Sequence, residues 1–261
     1  MKKIGIIGCG TIGTGIAEFV QKYLNGKAKI VALCDADHEK AALLSKNIKP
    51  HPIVTSIDSL IRKSDLVIEA AGMSVSGKIA EKAVLYKKDV LIMSTGGLLK
   101  KIPLLKKARS KGINVYVPVG AICGLDGLRS ACIGKIKNVT LTTRKPPKGL
   151  KGAPYLLKKK IDVDSIKKET VIYSGTASDA VKHFPKNINV AATLSLSGIG
   201  PDKTKVRIVT SPEYTRNSHE IEVEGEFGRL FAKTENVPSK QNPKTSQLAI
   251  FSALAKLKEV I

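Results

Sequence analysis

The stretch Ile4-Gly5-Ile6-Ile7-Gly8-Cys9-Gly10-Thr11-Ile12-Gly13 indicates the fold, because an apolar run leads directly into a glycine-rich turn. Residues 3–8 are predicted to form a buried strand, and residues 14–24 an amphipathic helix. The glycines between them follow the spacing G-x-G-x-x-G. A strand, a glycine turn and a helix in this order are typical of a dinucleotide-binding unit.

Each glycine of this turn has a separate predicted role. Gly8 permits the tight turn, Gly10 lets a pyrophosphate approach the backbone, and Gly13 lets the helix pack closely on the strand. The N-terminus of the helix offers free N–H groups to phosphates, so Thr11 and Ile12 join the glycines as predicted cofactor-binding residues. The alternative is a structural turn whose glycines serve packing only.

Two further strand ends are expected at the same edge of the sheet. Asp35 follows a predicted strand, and an acid there can accept hydrogen bonds from both ribose hydroxyls while repelling a 2′-phosphate. Asp35 therefore favours NAD over NADP, although the nearby Lys40 could still accommodate the 2′-phosphate of NADP. The alternative is that Asp35 is a solvated acid in a loop. Residues 70–72 are small, so Ala71 is expected to line the space for ribose and nicotinamide, unless these residues form an ordinary turn.

Strands and helices alternate throughout the first half of the chain, which predicts an α/β fold with a Rossmann-type parallel sheet. After Pro118, alternating apolar residues appear, including a predicted hairpin of residues 220–223 and 229–232. We expect a dinucleotide-binding domain at residues 1–120 and a mixed α+β domain for substrate binding and dimerisation at residues 121–244. A last helix within residues 245–261, with Phe251 on its apolar side, is predicted to pack back on the first domain. The basic stretch from Lys145 to Lys168 is expected to run over the surface.

The composition narrows the classes of function. Lys and Arg number 44 against 22 Asp and Glu, and the resulting net charge of +22 attracts anions. The lysines are scattered along predicted helix faces with few aromatic residues between them, so we expect a solvated surface and no nucleic-acid-binding face. Apolar runs fall short of a membrane span, and the four cysteines lack metal-ligand spacing. These features predict a cytoplasmic protein with no membrane contact and no metal site.

Proton transfer in an oxidoreductase requires a side chain that titrates near neutral pH, and the chain has four histidines. His38 and His51 lie in polar connections, and His183 ends a short predicted helix, where it can cap carbonyls. His219 differs because it stands at the entrance to a strand of the second domain. It is therefore the candidate acid or base, with a structural role as the equal alternative.

Several longer blocks resemble the L-aspartate dehydrogenases of archaea and bacteria. In chain order they are residues 118–126 (PVGAICGLD), 142–147 (TTRKPP), 184–192 (FPKNINVAA), 217–221 (NSHEI) and 242–246 (NPKTS). The resemblance implies oxidation of L-aspartate with NAD or NADP to iminoaspartate, which hydrolyses to oxaloacetate and ammonia. It also implies that Ala121 and Asn187 contact the cofactor and that His219 is catalytic. A homodimer and the supply of iminoaspartate to quinolinate synthase for NAD biosynthesis are further implications.

The two carboxylates of such a substrate need hydrogen-bond donors. Polar residues in or beside these blocks are the candidates: Lys186, Asn189, Lys244, Thr245 and Ser246. Two other enzyme classes stay open, a homoserine dehydrogenase and a dihydrodipicolinate reductase, although their lysine-centred or histidine-pair motifs are not recognised in this sequence. A third alternative is a non-catalytic redox sensor or nucleic-acid binder that uses the Rossmann-type domain to read the NAD/NADH ratio, which the strong basicity keeps open.

Overall fold

A computed structural model describes residues 1–185, 188–240, 242 and 245–261. The chain divides into two compact units. Unit 1 comprises Met1–Pro118 together with Ile250–Ile261, and unit 2 comprises Val119–Ala249. Within the described residues, no helix is both long enough and apolar enough to span a membrane.

Unit 1 contains a parallel sheet with the strand order β3-β2-β1-β4-β5-β6. Its strands are β1 (Lys2–Ile7), β2 (Ala28–Cys34), β3 (Ile53–Val54), β4 (Leu66–Glu69), β5 (Asp89–Ile92) and β6 (Val115–Tyr116). The helices between them are α1 (Thr11–Tyr23), α2 (His38–Asn47), α3 (Ile57–Lys63), α4 (Met73–Leu85) and α5 (Ile102–Ser110), with a short 3-10 helix at Thr95–Lys101. This topology confirms the predicted α/β fold with a Rossmann-type sheet.

The strand order positions the site. In it, β1 has β2 on one side and β4 on the other, and the chain runs outward in opposite directions from this point. Ligands of open parallel sheets bind at such a switch point, outside the carboxyl ends of the strands. The residues after β1, β2 and β4 are therefore the candidates for contact with a ligand. The central strands are apolar and buried on both faces, as parallel sheets require; Leu66 and Val67, which lie on opposite faces of β4, are both 0% exposed.

Unit 2 contains a second sheet with the order β11-β10-β7-β9-β8. Its strands are β7 (Ile136–Lys145), β8 (Thr170–Thr176), β9 (Thr204–Thr210), β10 (Asn217–Gly225) and β11 (Gly228–Asn236). The helices are α6 (Leu125–Ala131), α7 (Pro154–Lys159), α8 (Ala177–His183), α9 (Asn189–Ser197) and, shared with unit 1, α10 (Gln247–Val260). Strands β10 and β11 pair antiparallel, which confirms the predicted hairpin, whereas β7 and β9 pair parallel. The combination of strands and helices confirms the predicted α+β composition, but the parallel pairing of β7 with β9 makes the sheet mixed, which was not predicted.

The last helix, α10, buries a different face from the predicted one. Ala253 and Leu257 belong to the same buried cluster as Ile16 and Val20 of α1. Phe251, by contrast, is 55% exposed, so its predicted place on the packed side is wrong. The buried positions recur at intervals of three and four residues, and Phe251 falls outside that stripe.

The prediction that the chain runs over the surface from Lys145 onward is also wrong at its first residue. Lys145 ends β7, and because side chains alternate along a strand, it shares one face of the sheet with Leu141 and Thr143. These three side chains line a small cavity. The other lining residues, from β9 and from the segments that cover this face, are Leu150, Phe184, Ile188, Ala191, Val206 and Ile208.

Candidate active site

The glycine turn after β1 is built as its spacing predicts. Gly8 has a φ of +99°, and its N–H donates to the carbonyl of Cys34 at 2.8 Å. A Cβ added at Gly8 would collide with the backbone of Ala70, and one added at Gly13 would collide with the carbonyl oxygen of Gly8. Both glycines are therefore required by the close approach of backbone to backbone.

Gly10 has a different environment, because a Cβ added there would meet no heavy atom within 4 Å. Gly10 is the N-cap of α1, the cap receives no side-chain hydrogen bond, and the first turn carries no acidic residue. The first N–H groups of the helix, including those of Thr11 and Ile12, are thus not capped by the Gly10 side of the turn and lie at the positive end of the helix dipole. This cradle fits the pyrophosphate of a dinucleotide.

Asp35 stands directly after β2 and is tied to the glycine turn. Its Oδ2 accepts the backbone N–H of Cys9 at 2.6 Å, and its Oδ1 accepts that of Asp37 at 2.8 Å. These bonds hold the carboxylate at the strand end, where it can also accept ribose hydroxyls. Lys40, which was considered as a partner for a 2′-phosphate, forms an ion pair with Asp37 at 2.9 Å.

Glu69, the last residue of β4, is a site residue that the sequence analysis missed. Its side chain is 0% exposed. Its Oε1 accepts the N–H groups of Ala71 and Gly72, each at 2.9 Å, and its Oε2 accepts the N–H of Ser94 at 2.9 Å. Burial raises the pKa of this carboxyl, and the N–H donors oppose that rise. Glu69 thereby fixes the ends of β4 and β5, including the exposed Ala71 that was predicted to line the cofactor site. An acidic residue between an apolar strand and a run of small residues was the available signal.

Unit 2 places His219 in a buried and polar setting. His219 lies on β10 directly opposite Thr143 of β7. It is 5% exposed, and its Nδ1 is 3.0 Å from Oγ1 of Thr143. This hydrogen bond orients the imidazole ring and leaves Nε2 as the nitrogen that can face a ligand.

The charge state of His219 follows from its surroundings. Burial, and in second place the positive charge of Lys145, lower the pKa of His219 to about 3. Burial also lowers the pKa of Lys145 to about 8. At neutral pH the imidazole is therefore neutral, and the ammonium group supplies the positive charge.

A second network in unit 2 joins two predicted site residues, Ala121 and Ser246, through two residues that were not predicted. Thr234, opposite His219 on β11, donates its hydroxyl to the carbonyl of Ala121 at 2.8 Å. The buried Asn236 donates to the same carbonyl at 3.1 Å and accepts the hydroxyl of Ser246 at 2.7 Å. The structure thus brings Ala121 and Ser246 into one hydrogen-bonded group beside the strand pair that carries His219. Sequence reasoning identified neither Thr234 nor Asn236.

The other predicted substrate residues divide into two groups. Asn189 is the first residue of α9 and is exposed, and Thr245 is partly exposed and accepts the N–H of Ser239 at 2.7 Å. Asn187, Lys186 and Lys244 lie outside the described residues. Within the described ranges, no group of three or more His, Cys, Asp or Glu side chains could hold a metal ion.

Comparisons with known proteins cover both halves of the chain. The family model "Aspartate dehydrogenase, C-terminal" matches residues 126–260, and the model "Homoserine dehydrogenase, NAD binding domain" matches residues 8–118. An L-aspartate dehydrogenase of Methanosarcina mazei is 45% identical over 267 residues, covering 100% of this chain and 97% of that protein. One of Bradyrhizobium diazoefficiens is 40% identical over 257 residues, covering 98% and 91%. The crystal structure of aspartate dehydrogenase from Thermotoga maritima matches with a TM-score of 0.77 at 28% identity, covering 100% and 97%.

The open glycine turn on a Rossmann-type sheet, followed by a second domain with a buried histidine, defines a pyridine-nucleotide-dependent oxidoreductase. The relatives specify the family within this class, because they match both domains over nearly their full lengths. The chain belongs to the L-aspartate dehydrogenase family.

Proposed function

We propose that this protein oxidises L-aspartate to iminoaspartate with NAD as the hydride acceptor, after which the imine hydrolyses to oxaloacetate and ammonia. The observation that carries the proposal is the position of His219. It is a buried imidazole held at Nδ1 by Thr143, in a chain whose whole length matches L-aspartate dehydrogenases. This combination supports oxidation of an amino acid more directly than the glycine turn does, because many other oxidoreductases share that turn.

Unit 1 is proposed as the cofactor-binding domain. The N-terminus of α1 and Gly10 would hold the pyrophosphate, and Asp35 would accept the ribose hydroxyls. When bound, the nicotinamide ring accepts a hydride from the substrate Cα. The preference for NAD over NADP is supported by Asp35, whose carboxylate repels a 2′-phosphate, and by Lys40, whose ammonium group pairs with Asp37.

Unit 2 is proposed as the substrate-binding and dimerisation domain. The substrate amine must lose its proton before the hydride leaves, and Nε2 of His219 is proposed to move that proton. A dianionic substrate makes His219 a stronger base than it is in the free protein, because negative charge nearby favours the imidazolium form. Thr245 and Asn189 are proposed to donate hydrogen bonds to the carboxylates, and Ala121 to contact the cofactor. Ser246 is proposed to do so only after its hydroxyl turns away from Asn236, to which it donates in the free protein.

The cellular setting is part of the same proposal. A homodimer is supported by family membership and by Phe231, which is 57% exposed on the sheet face opposite to His219. A cytoplasmic location is supported by the four cysteines, each of which is a free thiol. Supply of iminoaspartate to quinolinate synthase is proposed from the family resemblance.

The test is an assay of nucleotide reduction with L-aspartate, with L-homoserine as the control substrate and both NAD and NADP as cofactors. The proposal expects reduction with L-aspartate only and faster turnover with NAD. Reduction with L-homoserine alone would favour the homoserine dehydrogenase alternative. Binding of NADH without turnover of either substrate would favour a sensor.

Substitution of the histidine tests the mechanism. His219→Asn is expected to lower kcat by about two to four orders of magnitude, which is the usual contribution of a positioned proton-transfer group, while the Kd for NADH stays unchanged. His51→Asn, which changes an exposed histidine of unit 1, is the matched control and is expected to behave like the wild-type protein. Equal loss of turnover and NADH affinity in His219→Asn would assign His219 a structural role.

A further inference from the structure

Lys145 occupies an unusual place for a lysine. It is the last residue of β7, two positions after Thr143, and it points to the sheet face that Thr143 and His219 share. Its side chain is partly buried and lines the small cavity beneath α8 and α9 together with Phe184 and Ile188. Lys145 therefore lines the same cavity as Ile188, which directly precedes Asn189, a proposed substrate residue.

The surroundings make a charged group at this position costly. The cavity walls are mostly apolar, so an ammonium group loses its hydration shell there. A leucine or methionine at this position would not have that cost. The loss is visible in the pKa of Lys145, which burial lowers to about 8, and in the pKa of His219, which the charge of Lys145 helps to lower. A costly charge beside a catalytic imidazole marks a functional group more often than a structural one.

The proposed substrate needs such a charge. L-aspartate carries two carboxylates at neutral pH, and binding both in a largely dehydrated site requires positive charge as well as hydrogen-bond donors. The described candidates Asn189, Thr245 and Ser246 are neutral side chains. Lys145 adds a cation on the same face as the imidazole that is to accept the substrate's proton.

We propose that the ammonium group of Lys145 binds a carboxylate of the substrate beside His219, which makes Lys145 a further substrate-binding residue. This inference rests on the proposed function, because it presupposes a dicarboxylic amino acid as the substrate. It also links binding to chemistry. A carboxylate bound to Lys145 balances the positive charge that, after burial, opposes protonation of His219, so the imidazole takes up a proton more readily when the substrate is present.

The experiment compares Lys145→Met, Lys145→Arg and Lys137→Met in the full-length protein. Lys137 lies on the same strand but is 71% exposed in its side chain, so Lys137→Met removes one positive charge without touching the cavity. The measurements are KM and kcat for L-aspartate, calorimetric binding of succinate to the protein saturated with NADH, and the Kd for NADH itself. Succinate serves as a probe because it presents two carboxylates without the reacting amine.

Loss of a charge-assisted bond to a carboxylate is expected to raise KM for L-aspartate and the Kd for succinate about 10- to 100-fold in Lys145→Met. Lys145→Arg should restore part of the affinity, while Lys137→Met and the Kd for NADH should stay within about twofold of wild type. Unchanged succinate affinity in a folded Lys145→Met protein would overturn the inference. If Lys145→Met does not fold, wild-type-like succinate affinity in Lys145→Gln would overturn it instead. Failure of the proposed function is a separate result, in which the wild-type protein itself neither oxidises L-aspartate nor binds succinate.

Discussion

The substitution Gly10→Ala separates the binding role of the glycine turn from its folding role. At Gly10 the backbone has φ −77° and ψ −165°, which alanine adopts without strain, and the added methyl group meets no heavy atom within 4 Å. The free protein should therefore gain about 0.4 to 1 kcal/mol of stability, because alanine restricts the unfolded chain. The methyl group fills the space through which a pyrophosphate reaches the N-terminus of α1. We expect the Kd for NADH to rise at least about tenfold, or about 1.4 kcal/mol.

Two further glycines of the same segment serve as controls. Gly15 lies within α1, and a Cβ there would be 3.6 Å from Cγ2 of Ile250, an ordinary contact. Gly15→Ala should stabilise the protein by up to about 1 kcal/mol and leave NADH binding unchanged. In Gly13→Ala the methyl group would collide with the carbonyl of Gly8, so stability should fall by about 1 to 3 kcal/mol together with binding.

The assay pairs urea unfolding with calorimetric titration of NADH for the three variants. In Gly10→Ala the stability should rise while the affinity for NADH falls, and in Gly13→Ala both should fall. In Gly15→Ala the stability should rise while the affinity for NADH stays unchanged. If Gly10→Ala binds NADH as tightly as the wild-type protein, the pyrophosphate does not lie over this turn, and the reasoning from the open cradle is refuted.

Two other predictions concern the buried residues His219 and Glu69, and a third concerns Asp35. His219 binds a proton near pH 6.5 in the unfolded chain but only near pH 3 in the folded protein. The free energy of unfolding should therefore fall as the pH drops below about 6.5, by up to about 1.4 kcal/mol per pH unit. The acid unfolding of His219→Gln should lack this part of the slope, and an identical slope would contradict the assignment. Glu69→Gln should cost about 2 kcal/mol or more in urea unfolding, because an amide nitrogen cannot accept a backbone N–H, whereas the exposed ion-pair variant Glu81→Gln should change stability by less than about 1 kcal/mol. Asp35→Ala should raise the ratio of kcat/KM with NADP to that with NAD by about tenfold, and an unchanged ratio would remove Asp35 from the ribose site.

Local pattern was sufficient to predict the first sheet. The apolar runs and the glycine spacing are encoded by neighbouring residues, and β1 formed within one residue of its predicted bounds. Helix α1 begins at Thr11, before the predicted start at residue 14, so Gly13 lies within the helix. The hairpin of β10 and β11 was predictable for the same reason. The parallel pairing of β7 with β9 was not, because the two strands are separated by about sixty residues and their register depends on the helices that cover them.

Three residues from the two domains illustrate which contacts the sequence does not indicate. Lys145 stands among other lysines and prolines, so composition indicated a solvated segment, although the strand carries its side chain inward. Glu69 ends an apolar strand, and nothing in the local pattern indicated that three backbone N–H groups, from the ends of two strands, would donate to its carboxylate. Asn236 reaches Ala121 across more than a hundred residues of chain. Such partners depend on tertiary contacts, which periodicity does not encode.

The most direct test of the central claim is to follow the hydrogen that leaves the substrate. The purified protein is incubated with NAD and L-aspartate deuterated at Cα, and the reduced nucleotide is analysed by mass spectrometry and NMR. The account predicts one deuterium at C4 of the nicotinamide ring and oxaloacetate with ammonia in equal amounts. A nucleotide that stays oxidised, or one that is reduced without carrying the label, would contradict it.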